Sequence, residues 1–388
     1  MKKTSFGKEK IIIIFAGSHL AYSPTVTQLY DLLSEAADVT ILSEIRPDFI
    51  TQKLTGRKVI YFTKEVQLRT PFSKKIKYFF LRRFNKSAKR LEAFGLKLKH
   101  DYSAFHRTEK IIRQGRYDRV IAVDIQNLFY CTVMGIHADF ISLELGIGED
   151  LLPLIDRKLI DCVISQSTER LNYLFKNTDD LKIFIIPNSP VFKKQSLYEG
   201  KKKGLLYGGT AWDPFGFYHC LEYLRIYKDT ALTVQGALPG EEREKISTEY
   251  NELINESLLH LNDKYLSNDE VVNYFSQFEI GICFYNFDVE WIRHFNYQSA
   301  PSGKMFKYLA AGVPVLAINI IGFKFIEEMN CGVLINDLKP ESIRAGIEKI
   351  RSDYNHYRAN TQIAAAHYSF DKAVQPYLDY VKEGKRKH

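Results

Sequence analysis

The sequence predicts an α/β fold with two doubly wound domains, each a parallel sheet between layers of helices. Short segments of continuous apolar residues, many of them Val and Ile, alternate along the chain with segments of helical periodicity. This alternation is typical of buried parallel strands that are covered on both faces. The chain has 388 residues, too many for one ordinary hydrophobic core, so we expect two domains. With 45% apolar and 26% charged residues, the composition is that of a globular protein.

The first domain is predicted over residues 1–192. Its β-branched run at residues 11–16 ends in a glycine turn, and a helical pattern then leads to a second strand at residues 38–42. Strand, turn, helix and strand form the βαβ unit that begins a parallel sheet. Further strands are predicted at residues 59–62, 119–123, 140–143, 162–165 and 183–187.

The second domain is predicted over residues 193–368 and begins within a polar, lysine-rich linker at residues 191–203. A terminal segment, residues 369–388, contains a last helix that we expect to pack back on the N-terminal domain. In doubly wound sheets, ligands bind beyond the carboxyl ends of the strands. The strands of this domain are predicted at residues 204–207, 231–235, 279–284, 313–318 and 332–335, with helices between them, for example at 214–227 and 342–352.

The composition argues against several classes of protein. The five cysteines show no CxxC spacing, which favours core thiols in a reducing compartment. The ten histidines show no HxxxH or HExxH pair, so we expect neither a metal site nor a bound cofactor. No apolar run reaches the ~18 residues of a membrane span. The run at residues 11–16 is too short for a secretory signal. We therefore expect a cytoplasmic protein.

Residues 64–116 concentrate the positive charge of the chain. They contain 16 Lys and Arg against four Asp and Glu, a net charge of +12, whereas the whole chain carries +8. Within residues 72–98, Phe and Leu recur at helical spacing with Lys and Arg between them. This pattern predicts an amphipathic helix that binds an anionic membrane surface. The alternative is a helix that packs on the core with a solvated basic face. No nucleic-acid motif occurs, so we expect no nucleic-acid partner.

Residues 300–317 are the most informative segment. They predict a turn at Pro301, Ser302 and Gly303, a helix that starts at Lys304, a stop at Gly312 and then an apolar strand. Ser before a helix commonly caps its first N–H groups. A helix start with nearby N–H donors, the positive end of the dipole and an ammonium group is suited to bind a phosphate. The alternative is an ordinary helix–turn–strand connection.

Three segments in order resemble the GT-B glycosyltransferases, closest to the GT4-like family. Residues 301–317 resemble the donor-site segment of that family, and residues 205–210 resemble the first strand and glycine turn of its donor domain. Residues 161–171 with 185–191 resemble the end of its acceptor domain. The resemblance implies two Rossmann-like domains that face a cleft and bind a UDP- or GDP-sugar.

Further residues are candidates for contact with the nucleotide sugar. Gly208, Gly209 and Thr210 follow a strand and would let the backbone approach the diphosphate. Gly17 and Ser18 end the first strand of the other domain, where GT-B proteins often bring a backbone N–H toward the donor.

Arg293 precedes the donor-site turn and is a candidate to reach a phosphate or a sugar, although a surface loop explains it equally well. The sequence also departs from the family. Retaining members carry two glutamates eight positions apart, and here those positions hold Ser299 and Lys307. The anomeric outcome of a transfer therefore stays open.

An acceptor hydroxyl needs a general base in an inverting mechanism. Asp124 and Glu144 each follow a predicted strand, and His19 follows the first glycine turn. These three are the candidate catalytic residues. Capping or buried carboxylates and a polar loop histidine are the competing explanations.

Together these observations predict a metal-independent hexosyltransferase, peripheral on the inner face of the membrane. It would transfer a sugar to a glycan or lipid-linked acceptor in cell-surface polysaccharide synthesis. Two alternatives stay open: a nucleotide-sugar epimerase or hydrolase with the same fold, and a non-catalytic GT-B-like binding subunit. The missing glutamates favour the last.

Overall fold

The computed structural model describes residues 8–15, 20, 23–44, 54–62, 102–146, 148–193, 198–264, 266 and 268–384. They form two compact units. The first comprises the described residues of Met1–Ser165, Asn172–Ile185 and Pro376–His388, and the second comprises Gln166–Leu171 and the described residues of Ile186–Gln375. The two units thus divide after Ile185 and after Gln375. The predicted domain boundaries, after residues 192 and 368, stay predictions. The basic segment 72–98 lies outside the described residues.

The sheet of the first unit has buried, apolar strands at its centre. Its strands are β1 (Lys10–Phe15), β2 (Asp38–Glu44), β3 (Val59–Phe62), β4 (Arg119–Val123), β5 (Ala138–Ser142), β6 (Ile160–Ser165) and β7 (Ile183–Ile185). They are parallel in the order β3-β2-β1-β4-β5-β6-β7. In β1, Ile13 lies opposite Ile41 on one side and Ile121 on the other. The predicted continuous apolarity of this strand follows from neighbours on both edges and helices on both faces.

Two helices of this unit start or end at residues that favour a helix terminus. Pro24 occupies a first-turn position of its helix, where its missing N–H costs nothing. The helix after β4 ends at Gly135, which adopts a left-handed conformation (φ +65°). The α-helices up to the second unit are α1 (Pro24–Ser34), α2 (Tyr102–Gly115), α3 (Asp124–Met134) and α4 (Thr168–Leu174), with 3₁₀ turns at Glu149–Leu154 and Arg157–Leu159.

A buried ion pair fixes the C-terminal residues of the chain on the first sheet. Arg119 and Asp139, on adjacent strands, lie 2.9 Å apart (Nη1 to Oδ2), and neither is accessible to solvent. The buried Tyr377 donates its hydroxyl to the same Asp139 oxygen at 2.8 Å. The Arg119 guanidinium also lies 5.2 Å from the ring centroid of Tyr380. Breaking such a network leaves an uncompensated buried charge, so each partner holds the others in place.

The second sheet is also parallel. Its strands are β8 (Lys203–Gly208), β9 (Leu232–Gln235), β10 (Leu259–Asn262), β11 (Phe278–Cys283), β12 (Val315–Ile318) and β13 (Gly332–Ile335). Their order is β10-β9-β8-β11-β12-β13. The sequence did not predict β10. Its residues, Leu-His-Leu-Asn, are only partly buried because the strand forms the edge of the sheet, and so the apolar signal is weak.

Helices cover this second sheet and complete its core. Residues 354–367 form a helix that packs against the helix of the donor-site segment. The α-helices of this unit are α5 (Phe217–Tyr227), α6 (Gly240–Glu249), α7 (Asn251–Asn255), α8 (Asn268–Phe275), α9 (Phe295–Ser299), α10 (Gly303–Ala310), α11 (Phe325–Glu328), α12 (Pro340–Ser352) and α13 (Tyr354–His367), with 3₁₀ turns at Asp213–Phe215, Glu290–Arg293 and Ile321–Phe323. The last helix, α14 (Phe370–Lys382), begins in the second unit and continues into the first.

The predicted α/β class is therefore confirmed in both units. All five cysteines are buried and free, as expected for core thiols. No helix in the described ranges is long and apolar enough to cross a membrane.

One close contact between a strand and a helix shapes the second core. The ring of Tyr308 in α10 lies against Gly281 in β11, so a Cβ atom added at Gly281 would come within 2.5 Å of ring atoms. Tyr308 is fully buried, and its ring also packs at 5.4 Å from the ring of Phe275. Because neither ring has space to move, only glycine fits this position of the strand.

We predict that Gly281→Ala lowers the free energy of unfolding by about 1–3 kcal/mol, because the added methyl group overpacks a rigid site. Urea unfolding followed by tryptophan fluorescence measures this directly, since both tryptophans (Trp212 and Trp291) lie in the second unit. Gly240→Ala is the matched control, because nothing lies within 4 Å of an added Cβ there. If Gly281→Ala and the wild type unfold at the same urea concentration, the close contact between Gly281 and the Tyr308 ring is contradicted.

Candidate functional site

The carboxyl end of the second sheet contains a topological switch point. The chain runs from β8 outward to β9 and β10, and then returns to β11 on the other side of β8. The loops that leave β8 and β11 diverge, which opens the crevice where ligands of doubly wound folds bind. The loop after β8 carries Gly209 and Thr210, and the segment after β11 leads to α10. The structure thus brings two separately predicted groups of residues to one place.

The glycine turn after β8 packs against the turn after β9. Gly209 has φ +107° and Gly236 has φ +155°, conformations that favour glycine. A Cβ atom at Gly236 would lie 2.1 Å from the carbonyl oxygen of Gly209, so the two turns touch through backbone alone. The N–H of Gly209 donates to the carbonyl of Gln235 at 2.9 Å. The turn is therefore held within the unit by its own backbone.

The hydroxyl of Tyr308 fixes α10 to the two strands at the switch point. It accepts the N–H of Gly208 at 2.6 Å and donates to the carbonyl of Ile282 at 3.1 Å. Burial raises the pKa of Tyr308 well above its usual value, so the hydroxyl keeps the proton that it donates. The N–H groups of Gly208 and Gly209 are thus engaged inside the unit. The approach of the backbone of Gly208, Gly209 and Thr210 to a diphosphate stays a prediction.

The start of α10 is not capped by its own side chain. Ser302 occupies the N-cap position, but its hydroxyl makes no capping hydrogen bond to the helix. Instead it forms a hydrogen bond with the thiol of Cys283. Burial raises the pKa of this thiol, whereas Lys304 and the hydrogen bond with Ser302 act to lower it. The first N–H groups of a helix need a partner. Here the Ser302 carbonyl accepts the N–H of Met305 at 2.9 Å, and the Ser302 hydroxyl caps none of them. The helix start therefore retains its capacity to bind an anion.

Lys304 places a positive charge beside this helix start. Its Nζ atom lies 5.0 Å from the ring centroid of Tyr207 and 5.8 Å from that of Phe215, within the range of cation–π attraction. Within the described residues, no carboxylate pairs with this ammonium group. Burial raises the pKa of the nearby Cys220 thiol to about 12, although Lys304 acts against the shift. Cys220 is thus protonated at neutral pH and places no negative charge beside Lys304.

Asn188, which is not among the predicted site residues, lies beside the start of α10. A Cβ atom added at Gly303 would lie 3.3 Å from the backbone oxygen of Asn188 and 3.4 Å from its amide nitrogen. Its side chain is thus next to the first residue of α10. The signal was present in the Ile-Pro-Asn-Ser segment, which resembles the family but was interpreted only as the end of the first domain.

Arg293 stabilises the segment between β11 and α10. Its Nε donates to the carbonyl of Phe287 at 2.6 Å, and Gln298 donates to the Arg293 carbonyl at the same distance. The neighbouring α9 is anchored by the fully buried Arg170, whose Nη1 donates to Asn296 Oδ1 at 3.0 Å. The side chain of Arg293 is exposed, and its contact with a ligand stays a prediction.

The resemblance to GT-B glycosyltransferases places Ser299 where retaining members carry their first glutamate, and this position is buried here. Ser299 is fully buried and donates its hydroxyl to the carbonyl of Phe295 at 2.6 Å. Its backbone lies 2.7 Å from where a Cβ of Gly322 would stand. A glutamate would not fit there without moving both neighbours. The second position, Lys307, lies on α10 and is partly buried.

In the first unit, Asp124 lies at the corresponding switch point between β1 and β4. It is the first residue of α3 and has φ +64°, an unusual conformation for a residue other than glycine. One carboxylate oxygen accepts the N–H groups of Leu143 at 2.7 Å and Glu144 at 2.9 Å. Asp124 therefore ties the end of β4 to the loop after β5.

Glu144 follows β5, and its side chain is exposed. Its backbone is fixed by Asp124, so the two candidate bases are neighbours at one edge of the first sheet. Gly17, Ser18 and His19 lie outside the described residues. The catalytic roles of Asp124, Glu144 and His19 stay predictions. Among the described residues, no cluster of three or more His, Cys, Asp or Glu could hold a metal ion.

The fold is similar to those of several nucleotide-sugar proteins. A glycosyltransferase from Rickettsia africae superposes with a TM-score of 0.67 at 11% identity, over 99% of this chain and 100% of the other. The pneumococcal O-GlcNAc transferase GtfA, in complex with UDP and GlcNAc, gives 0.66 at 10% identity, over 97% and 99%. A Listeria monocytogenes protein assigned as a UDP-N-acetylglucosamine 2-epimerase gives 0.60 at 14% identity, over 97% and 96%.

These similarities establish the fold. The prediction of two Rossmann-like units of the GT-B type is confirmed, whereas the GT4-like assignment stays a prediction. No protein-family model matches the sequence, and no curated protein sequence matches it either.

We predict that Asp124→Asn preserves stability to within about 1 kcal/mol, whereas Asp124→Ala loses about 2–4 kcal/mol. Asn keeps a side-chain oxygen for the two N–H groups and tolerates positive φ, but Ala does neither. Thermal unfolding by circular dichroism separates the two variants. Equal losses of stability in Asp124→Asn and Asp124→Ala would contradict the role of the Asp124 oxygen as acceptor of the two N–H groups. If Asp124→Asn is stable but inactive, its catalytic role is supported.

Proposed function

We propose that this chain is a glycosyltransferase that uses a nucleotide-sugar donor. The observation that carries the proposal is the start of α10, where uncapped N–H groups and Lys304 meet at the switch point of the second sheet. This arrangement is suited to a diphosphate. The similarity of fold to proteins described as glycosyltransferases, one of them with UDP and GlcNAc bound, supports it.

The chemistry of transfer assigns a task to each of these groups. When the bond between the sugar and the diphosphate breaks, negative charge grows on the leaving phosphate. Lys304 and the N–H groups of α10 would stabilise that charge without a metal ion, because they are already oriented toward the site. Tyr308 holds the helix start in place, so little reorganisation accompanies the step. The acceptor hydroxyl would lose its proton to Glu144, Asp124 or His19.

The donor would be a UDP- or GDP-sugar, and the transferred sugar would be a hexose. The acceptor would be a glycan or a lipid-linked glycan in cell-surface polysaccharide synthesis. The basic, Phe-rich segment 72–98 supports a peripheral position on the inner, anionic face of a membrane, next to a lipid-linked acceptor. In this proposal the protein is cytoplasmic.

A nucleotide-sugar epimerase or hydrolase is the second candidate. It is supported by the similarity to the Listeria protein, which has a comparable TM-score. The buried Ser299 and the basic Lys307, where retaining transferases have glutamates, also support a non-catalytic binding subunit.

A panel of nucleotide sugars tests the proposal. Incubation with UDP-glucose, UDP-galactose, UDP-GlcNAc and GDP-mannose should release UDP or GDP from one donor, slowly without acceptor and faster with it. Mass spectrometry and NMR identify the products. An epimeric nucleotide sugar without diphosphate release would show an epimerase. Binding of UDP or GDP without turnover of any donor and acceptor would show a binding subunit.

Lys304→Ala should weaken the affinity for UDP or GDP about 10- to 100-fold, because a charge-assisted hydrogen bond to phosphate is worth about 1.5–3 kcal/mol. Isothermal titration calorimetry measures the affinity. Lys349→Ala, which removes an exposed lysine from α12, is the control and should leave it unchanged. If Lys304→Ala binds the nucleotide as wild type does, the diphosphate does not bind at the start of α10.

A further inference from the structure

The only two tryptophans of the chain lie together at the switch point of the second sheet. Trp212 belongs to the loop after β8, and Trp291 belongs to the segment after β11. Their ring centroids are 5.6 Å apart, with the ring planes inclined by 40°. Each side chain is 40% exposed, although large aromatic residues usually bury most of their surface. The two loops that diverge from the switch point therefore present one shared aromatic surface, which we call the tryptophan platform.

Other aromatic rings pack against the two indoles of the platform. The ring of Phe215 packs edge-on against both indoles, with centroids 5.9 Å from Trp212 and 6.2 Å from Trp291. Tyr297 packs against Trp291 at 5.1 Å, and Tyr285 packs against both Phe215 and Tyr297 at 5.9 Å. Because these rings and two 3₁₀ turns hold the indoles, the exposed faces are fixed before any ligand arrives. A preformed surface loses little entropy on binding.

Phe215 connects the platform to the proposed diphosphate site. The same ring that supports both indoles lies 5.8 Å from the ammonium nitrogen of Lys304. A group attached to a phosphate at the start of α10 is therefore one aromatic ring away from the platform.

The charges near the platform favour a neutral occupant. The segments that carry the indoles hold three carboxylates, those of Asp213, Asp288 and Glu290, against one guanidinium, that of Arg293. Asp288, Glu290 and Arg293 are exposed. Asp213 accepts a hydrogen bond from Asn286 at 3.3 Å, which orients it beside Trp212 in the chain. Carboxylates repel phosphate but accept hydrogen bonds from hydroxyl groups. The C–H groups on one face of a pyranose ring are weakly positive and pack on the negative face of an indole.

We propose that Trp212 and Trp291 bind the apolar face of a neutral pyranose ring, with the nearby carboxylates accepting its hydroxyl groups. This inference rests on the proposed function, because it places the sugar next to the diphosphate site. The ring belongs either to the nucleotide-sugar donor or to the glycan acceptor, and the same chemistry serves both.

Intrinsic fluorescence tests the proposal on the full chain, because both tryptophans report from the platform. Calorimetry first establishes which of UDP, the four nucleotide sugars of the panel and maltotriose bind. We expect tryptophan emission to shift to shorter wavelength with a bound nucleotide sugar if the donor's ring is stacked, or with maltotriose if an acceptor ring is stacked. UDP alone should bind without that shift.

Variants of the platform separate stacking from folding. Trp212→Ala and Trp291→Ala should each weaken binding of the responding sugar ligand about 3- to 10-fold and leave UDP affinity unchanged. The Phe variants of both positions should restore most of the affinity. Ile363→Ala, at an exposed apolar residue of α13, is the matched control. Thermal unfolding confirms that each variant is folded.

The outcomes separate this inference from the proposed function. If a nucleotide sugar binds in calorimetry but neither the nucleotide sugars nor maltotriose change the tryptophan emission, the proposed sugar stacking is overturned and the proposed function is unaffected. A full shift with UDP alone also overturns it, because the indoles would then stack on the base. If neither UDP, GDP nor any nucleotide sugar binds in calorimetry, the proposed function fails, and the inference fails with it.

Discussion

The hydroxyl group of Tyr308 connects three elements of the second unit. It accepts the N–H of Gly208 where β8 ends, donates to the carbonyl of Ile282 in β11, and belongs to α10. The ring has room only because Gly281 has no side chain. A neutral phenol in a fully buried position makes strong directional bonds, and the loss of either partner would leave a buried polar group unsatisfied. The start of α10 is thereby fixed at the switch point, and the geometry of the candidate site depends on it.

Around this fixed helix start, the site combines a cation, N–H groups and aromatic faces. Lys304 lies over Tyr207 and Phe215, and Ser302 bonds to Cys283 instead of capping the helix. At the two positions where the resemblance to retaining glycosyltransferases implies glutamates, this chain has the buried Ser299 and Lys307. The aromatic surface of the two loops adds area that does not depend on charge. These groups are the features on which the proposed nucleotide-sugar site rests.

The two units follow the same topological rule with different chemistry. In both, the chain leaves the central strand in one direction and returns on its other side, so each sheet has one switch point. In the second unit the switch point carries glycines, a lysine and a helix start. In the first it carries Asp124 in a left-handed conformation, with its carboxylate bonded to two N–H groups. In the proposed transfer, an acidic side chain would accept the proton of the acceptor hydroxyl, and a cation would stabilise the diphosphate as it leaves the sugar.

The sequence by itself determined the α/β class, most of the strands and the helix that begins near Lys304, because apolar periodicity and turn residues act over a few positions. It missed the edge strand β10, whose partial burial weakens that signal. Only the tertiary structure decided that the Ser302 hydroxyl leaves the helix uncapped, that Asn188 lies beside Gly303, and that Trp212 and Trp291 share a surface. Such contacts join distant residues, as Tyr308 does to Gly208 over 100 positions. No local pattern encodes them, since they arise from the packing of strands and helices that the chain brings together only when it folds.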